Sequence, residues 1–248
     1  MPWSTVAWSE SVDQAAIDNL AAVADQIAFT SGDNLRAPGN LIYGAYALGV
    51  SLTRAGLTGP SVRDKSNRIE LQPIDRVAEP SSPHPFHDYF DRPFPIVEGE
   101  QLNGQGAEDG VGATRMSAFA WVGSGIDPAP AGEVFTVRAT GTTTLVAFAW
   151  SAVTLTYDAT LDVGTYHLVG ARFESADAIV GRIVFAQGGP RPGAIGVDAV
   201  DDKDHMRLRH ARAGSWGTFS DANPPSCEFF AGAANAAETV YFDLIGPV

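Results

Sequence analysis

The clearest pattern along the chain is a series of short alternating hydrophobic and polar segments in the C-terminal half. They recur roughly every ten residues from Glu133 onward, separated by turns rich in glycine, proline and aspartate. Alternation with period two is typical of half-buried β-strands. The predicted strands are 133–139, 143–150, 153–157, 164–173, 177–186, 193–199, 215–219, 226–230 and 238–245. No strand–helix–strand rhythm accompanies them, so the pattern favours an all-β fold over a parallel α/β sheet.

The N-terminal half begins with a different pattern, which predicts one amphipathic helix from Ser11 to about Ala28. Ser11 and Gln14 have the spacing of a capping box. The helical stripe consists of residues at three- and four-residue spacing, namely Val12, Ala16, Leu20, Val23 and Ile27. After this helix the chain returns to strand-like segments, and we interpret the helix as packing against the edge of a sheet.

A soft domain boundary is predicted near residue 130. The segment GSGIDPAPAGE (123–133) combines glycines and prolines without an apolar period. It separates residues 1–130, a helix and β-rich region, from residues 131–248, a β-sandwich. A chain of 248 residues holds one large β domain or two small ones.

The charge of the chain narrows the classes of partner. The formal net charge is −13 and the pI about 4.6, so the overall field repels nucleic-acid phosphates and anionic lipids. Direct nucleic-acid binding is therefore not expected. Cys227 is the single cysteine, so no disulfide within the chain and no cysteine-based zinc site is expected. The chain has neither a secretory signal pattern nor an apolar run long enough to span a membrane.

Two groups of residues have the chemistry of metal ligands but not the spacing of a known site. His84, His87 and Asp88 could approach a metal ion, but Pro85 interrupts them, and we interpret this stretch as a packing loop. The acidic run DAVDDKDH (198–205) offers oxygen ligands for calcium, without the spacing of an EF-hand. A solvated acidic turn is the simpler interpretation, with calcium at a subunit contact as the alternative. No metal or other cofactor is predicted.

The sequence also lacks a recognisable catalytic motif. Ser215 is not in a G-x-S-x-G elbow, Cys227 has the surroundings of a buried strand residue, and His167 is interpreted as a wall residue of the sandwich. The glutamates that could converge as a glycosidase pair are Glu133, Glu174 and Glu228. We therefore predict that the protein is not an enzyme. The aromatic residues that could stack on sugar rings, though core packing is the default, are Phe119, Trp121, Phe148, Trp150 and Trp216.

The strand-rich segments in order resemble the B-to-I strand run of a viral jelly-roll capsid protein. They are GEVFTVRATGTTTLVAFAW, LDVGTYHLVGARFESADAIVGRIVF, RPGAIGVD, GSWGTFSDANPPSCEFF and ETVYFDLI. Upstream, FHDYFDRPFPIVEGEQL and TRMSAFAWVG look similar to a connecting loop and strand in coat proteins of tailless icosahedral viruses, including the double-jelly-roll group. The resemblance implies a jelly-roll β-sandwich, with one elaborated jelly roll or two in tandem.

The resemblance also implies a structural function, that of a major capsid protein that self-assembles into an icosahedral shell of the virion. Homotrimers are the expected building block, with minor capsid proteins as further partners. Because the N-terminus is acidic, an internal membrane or separate basic proteins would lie between shell and genome. The proline- and aromatic-rich loop 79–97 is long enough to be functional, and its predicted inter-subunit anchors are Phe86, Tyr89, Phe90 and Phe94. The alternatives are a carbohydrate-binding or lectin-type jelly roll and a β-sandwich hydrolase.

Overall fold

The computed structural model describes residues 3–26, 29–31, 34–75, 87–186, 189–190, 193–199, 213–234 and 238–248. Its contacts divide the chain into two compact units, Pro2–Gly125 and Ile126–Val248. Both units consist mainly of antiparallel strands, with one parallel pair of described strands in each. The described residues include a single short helix. The prediction of an all-β fold is confirmed.

The N-terminal unit contains twelve described strands and the helix. These are β1 (Trp3–Val12), β2 (Asp18–Asn19), β3 (Phe29–Ser31), β4 (Asn34–Arg36), β5 (Leu41–Gly49), β6 (Leu52–Thr58), α1 (Pro60–Ser66), β7 (Ile69–Leu71), β8 (Pro73–Asp75), β9 (His87–Asp88), β10 (Phe94–Pro95), β11 (Gln101–Glu108) and β12 (Thr114–Gly123). In one sheet β12 lies between β1 and β5, and β8, β9 and β10 pair with β5. In the other, β11 pairs with β2, β4 and β6, and β6 pairs with β7.

The C-terminal unit contains ten described strands. These are β13 (Val134–Gly141), β14 (Trp150–Val153), β15 (Thr156–Tyr157), β16 (Thr165–Glu174), β17 (Ala178–Phe185), β18 (Gly189–Pro190), β19 (Ile195–Asp198), β20 (Gly217–Ser220), β21 (Ser226–Ala231) and β22 (Glu238–Ile245). One group of strands has the order β13-β22-β16-β20, and the other has the order β14-β21-β17-β19.

The strand order of each unit is that of a jelly roll, the eight-stranded sandwich built from two Greek keys. When the strands are lettered B to I in chain order, the two sheets of a jelly roll read B-I-D-G and C-H-E-F. The C-terminal unit follows this order with β13, β22, β16 and β20 in one group and β14, β21, β17 and β19 in the other, and the short parallel pair of β16 with β19 joins the two groups. The N-terminal unit follows it with β1, β12, β5 and β9/β10, and with β2/β4, β11, β6 and β7. The described topology is therefore that of two jelly rolls in tandem.

Close contacts between glycine and aromatic residues hold the two sheets of each unit together. In the N-terminal unit, Trp8 of strand B is fully buried, and its indole occupies the space where a Cβ on Gly104 of strand H would lie. In the C-terminal unit, Phe173 of strand D lies in the same way over Gly181 of strand E. Phe173 also meets Phe229 edge-on, with ring centroids 5.3 Å apart. A missing side chain on one sheet thus provides the space for a large ring from the other.

The helix predicted over residues 11–28 is wrong for the described part of that range. β1 extends into it, and the chain then runs as a loop interrupted by β2 and an isolated bridge. The Gln26 side chain accepts a hydrogen bond from the Ala7 N–H at 2.6 Å and donates one to the Ala7 carbonyl at 2.7 Å. The Leu20 N–H donates to the Gly104 carbonyl at 2.8 Å. The segment is thus bonded to strands B and H, and this tertiary pairing outweighs its helical periodicity.

The strand predicted at 143–150 is also wrong. Residues 142–149 form the loop between strands B and C, and β14 begins only at Trp150. Phe148 has φ of 57°, a left-handed conformation that is unusual for an aromatic residue and incompatible with a strand. Leu145 is buried, whereas Val146 and Phe148 are exposed. The loop therefore contributes one residue to the core and presents apolar side chains to solvent.

Candidate functional site

The predicted inter-subunit anchors that the structure describes lie together at strand G of the N-terminal jelly roll, with Phe94 on β10 and with Tyr89 and Phe90 between β9 and β10. β9 pairs with Gly44 and Ala45 of β5, and β10 pairs with Leu41 and Ile42 of the same strand. Between them the chain turns at Phe90, whose N–H donates to the Asp88 carboxylate at 3.0 Å. The anchors thus belong to a short, twice-paired strand at one edge of the sheet. Phe86 lies outside the described residues.

Each of these aromatic rings has a different packing partner. The Phe90 ring stacks on Tyr43 with centroids 5.8 Å apart. The Phe94 ring lies 5.0 Å from the Lys65 ammonium, an arrangement with cation–π character. Tyr89 and Phe94 pack against the core of the unit. All three anchors remain partly exposed, so each has one side held by its own unit and another available to solvent.

Burial shifts two pKa values in the same segment. It lowers the pKa of His87 and raises the pKa of Tyr89, because a partly buried ring loses the solvation of its charged form. The Tyr89 hydroxyl lies 3.4 Å from Nδ1 of His87, and His87 Nε2 accepts a hydrogen bond from the Gln72 N–H at 3.3 Å. The neutral histidine therefore ties the aromatic segment to the chain before β8.

The structure does not assemble the metal sites considered from the sequence. In the ranges that the structure describes, no group of three or more histidine, cysteine or acidic side chains is placed to hold a metal ion. His87 and Asp88 are adjacent on β9, while His84 and most of the acidic run 198–205 fall outside the described residues.

The acidic residues considered as a glycosidase pair are engaged separately. Glu174 pairs with Arg172 at 2.7 Å, and Glu228 accepts a hydrogen bond from Nε of Arg182 at 2.6 Å. The two glutamates belong to opposite sheets of the C-terminal unit. Glu133 is exposed before β13. Their contacts are those of structural ion pairs.

The tryptophans do not offer open faces for stacking on sugar rings. Those with 3% or less exposure are Trp3, Trp8, Trp121 and Trp216. Trp150 is partly exposed, but the Arg182 guanidinium lies 4.0 Å over its ring. Of the aromatic residues weighed for this role, Phe119 is buried and Phe148 is exposed.

Sequence reasoning missed the proximity of Ser215 and His167. The Ser215 hydroxyl lies 3.3 Å from Nδ1 of His167, at the wall of a cavity of about 490 Å³ in the C-terminal unit. Strand register explains the approach, because His167 pairs with Thr218 on the neighbouring strand. No local motif marks either residue, since they are 48 positions apart. Cys227 is fully buried, which raises the pKa of its thiol and makes it a poor nucleophile.

In the described part of the chain, no helix is both long and apolar enough to cross a membrane.

No protein-family model and no curated protein sequence matches the chain. A comparison with solved structures finds the major capsid protein P2 from bacteriophage PM2, with 11% identity, a TM-score of 0.22 and coverage of 93% of this chain and 97% of that chain. It also finds the STIV MCP, with 8% identity, a TM-score of 0.24 and coverage of 97% of each chain. Both are major capsid proteins. The superpositions are loose at these TM-scores, so the fold assignment rests on strand order within each unit.

Proposed function

We propose that this protein is the major capsid protein of a tailless icosahedral virus, located in the virion and assembling as homotrimers into the shell. The observation that carries the proposal is the repeated jelly-roll order, B-I-D-G and C-H-E-F, in two successive units of one chain. A trimer of such chains contains six jelly rolls.

The aromatic segment on strand G of the N-terminal unit supplies the proposed contact between subunits. Its members Tyr89, Phe90 and Phe94 are held on one side by their own unit and are partly exposed on the other. Such half-buried aromatic residues suit a binding hot spot, because their position is fixed before the partner arrives. Phe86 is proposed to belong to the same contact from its position in the sequence.

The charge of the chain supports a shell that does not bind the viral genome directly. With a net charge of −13, the shell would not condense nucleic acid by itself. Minor capsid proteins, basic internal proteins or an internal membrane are the proposed intermediaries.

Light scattering coupled to size-exclusion chromatography, followed by negative-stain imaging, tests this proposal. The expected result is a trimer in dilute solution and larger shells or sheets as concentration rises. A protein that stays monomeric up to the concentrations at which capsid proteins assemble would refute the capsid assignment.

The proposed anchors need a separate test. The paired variant Phe90→Ala/Phe94→Ala is expected to weaken trimer formation at least tenfold, because the loss of two aromatic contacts costs about 2 kcal/mol or more. The matched control is Phe148→Ala, which removes an exposed aromatic residue from the other unit and should leave the trimer intact. Circular dichroism confirms that each variant is folded. An unchanged trimer in the paired variant would overturn these anchors while leaving the capsid assignment standing.

A further inference from the structure

In the part of the chain that the structure describes, β20, which is strand G, lies at a sheet edge of the C-terminal jelly roll. Among the described strands, β20 pairs only with β16. Thr165 exchanges both of its main-chain hydrogen bonds with Val248, at 3.4 and 3.0 Å, so its pair with Ser220 is a non-hydrogen-bonded one. Because antiparallel pairs alternate, the main-chain groups of Thr218 and Ser220 point away from β16. The Ser220 carbonyl accepts a bond from Asn223, and Thr218 is exposed.

Two cavities lie along this edge, and both are lined by Phe185 and Thr218. The first, of about 490 Å³, is bounded further by Asp127, Pro128, Ala129, Pro130, His167, Ser215, Trp216 and Gly217. The second, of about 410 Å³, is bounded further by Thr165, Ala186, Phe219, Ser220 and Asn223. In an extended chain, side chains two positions apart on one face are separated by about 7 Å. Because Thr218 of β20 borders both cavities, a strand laid beside β20 could place side chains from one of its faces in them.

The first cavity has a carboxylate in a lining of both apolar and polar residues. Gly214, with φ of 71°, brings the chain against Asp127, and the Ser215 N–H donates to the Asp127 carbonyl at 3.2 Å. This bond fixes the segment that carries Asp127 and the two prolines beside β20. Asp127 is the one acidic residue among the described residues that line the two cavities, and neither lining includes lysine or arginine. An aliphatic stem with a cationic head suits this cavity, because the stem can pack on the prolines and Phe185 while the head pairs with the Asp127 carboxylate.

The second cavity differs in chemistry. Thr165, Thr218 and Ser220 supply hydroxyl groups, and Asn223 supplies an amide. Phe185 lines both cavities, and a Cβ on Gly217 would collide with its ring. A small side chain with a hydroxyl or amide group suits this second space, because it can exchange hydrogen bonds with these groups.

We propose that the β20 edge of the C-terminal unit is a docking site for an extended, basic segment of another protein. The segment adds to the sheet as a strand beside β20, with a lysine or arginine in the first cavity and a small polar side chain in the second. Main-chain hydrogen bonds to Thr218 provide most of the affinity, and the Asp127 cavity selects the cationic residue. The proposal goes beyond the capsid assignment and does not depend on it.

The test begins with selection of binders from a phage-displayed library of random 12-residue peptides against the full-length protein. The affinities of the synthesised peptides are then measured by fluorescence polarisation. Selected sequences are expected to be rich in β-branched residues, to lack proline in their centre and to carry lysine or arginine. Thr218→Pro should weaken their binding about tenfold by removing an N–H and blocking the edge. Thr218→Ala keeps the main-chain groups and removes only the side-chain hydroxyl that lines the second cavity, so it should weaken binding less than Thr218→Pro does.

A measurement on the unmodified protein guards against misfolding of the proline variant. Saturating peptide should slow amide hydrogen exchange at Thr218 and Ser220 in the wild-type protein. The docking proposal is overturned if no peptide is selected, if peptides bind Thr218→Pro as tightly as the wild type, or if exchange at both amides is unchanged. The basic character of the partner is tested separately by Asp127→Asn, which should weaken binding several-fold and reduce its salt dependence. Unchanged binding by that variant would overturn the charge assignment.

Discussion

Replacing Gly104 with alanine tests the packing of the N-terminal jelly roll. The new Cβ would lie 2.9 Å from three indole atoms of Trp8, whereas carbon atoms in contact are separated by about 3.5 Å or more. Trp8 must therefore retreat by about 0.6 Å, although it is fully buried in a closely packed interior. Overpacking of this kind costs about 2 kcal/mol, and the lower chain entropy of the unfolded alanine variant offsets about 0.7 kcal/mol.

The net expectation for Gly104→Ala is a loss of about 1 kcal/mol in the free energy of unfolding, or roughly 4 °C in Tm. Urea denaturation followed by far-ultraviolet circular dichroism, together with calorimetry, measures both quantities. The control is the same substitution in a Trp8→Phe background, where the smaller ring leaves room for the methyl group. There Gly104→Ala should be neutral or stabilising by about 0.5 kcal/mol. A gain in stability from Gly104→Ala beside the native tryptophan, or an equal loss in both backgrounds, would refute the packing argument.

Three further predictions concern charge and burial. Arg182→Lys should cost about 1 kcal/mol of unfolding free energy, because lysine cannot both hold Glu228 and stack on Trp150; equal denaturation midpoints for the two proteins would contradict this. The lowered pKa of His87 means that, as pH falls below about 6.5, the unfolded chain takes up this proton before the folded one. Folding stability should therefore decrease from pH 7 toward the folded-state pKa and level off below it. His87→Gln should remove that part of the pH dependence, and identical pH profiles would disprove the assignment. Cys227 should react with a thiol reagent only under denaturing conditions, since burial raises its pKa; labelling of the native protein at the denatured rate would show that it is accessible.

The alternation of hydrophobic and polar residues predicted those strands in which side chains point alternately to the core and to solvent. The strand predicted over residues 238–245 is β22 with the same limits, and its first four residues alternate between buried and partly exposed. The segment 143–150 has a similar apolar content, but its β-branched residues lie in a loop that ends at the left-handed Phe148. A pattern of side chains does not report the backbone conformation of a single residue, so that loop could not be predicted.

The predicted helix shows a second limit of prediction from sequence. Hydrogen bonds to distant strands compete with the local hydrogen bonds of a helix. Leu20 and Val23 do face the interior, as their helical spacing suggested, and both are buried. They reach it from an extended segment whose main-chain groups bond to distant strands. The cavity beside β20 shows that the prediction of candidate sites from sequence has the same limit. His167 and Ser215 meet through strand register, and this contact between residues 48 positions apart has no counterpart in local sequence.

The pairing of first and last strands within each unit has a consequence for how such a chain can grow. β1 pairs with β12 from Trp3↔Gly123 to Val12↔Thr114, and β13 pairs with β22 from Val134↔Ile245 to Gly141↔Glu238. In each unit, the chain therefore begins and ends the jelly roll at the same end of one antiparallel strand pair. A complete jelly roll can be duplicated, joined through a short linker or replaced without any change in the path of the chain through the neighbouring unit. The two copies can then diverge separately, with one evolving an aromatic edge and the other a pair of cavities, while the strand order that they share is retained.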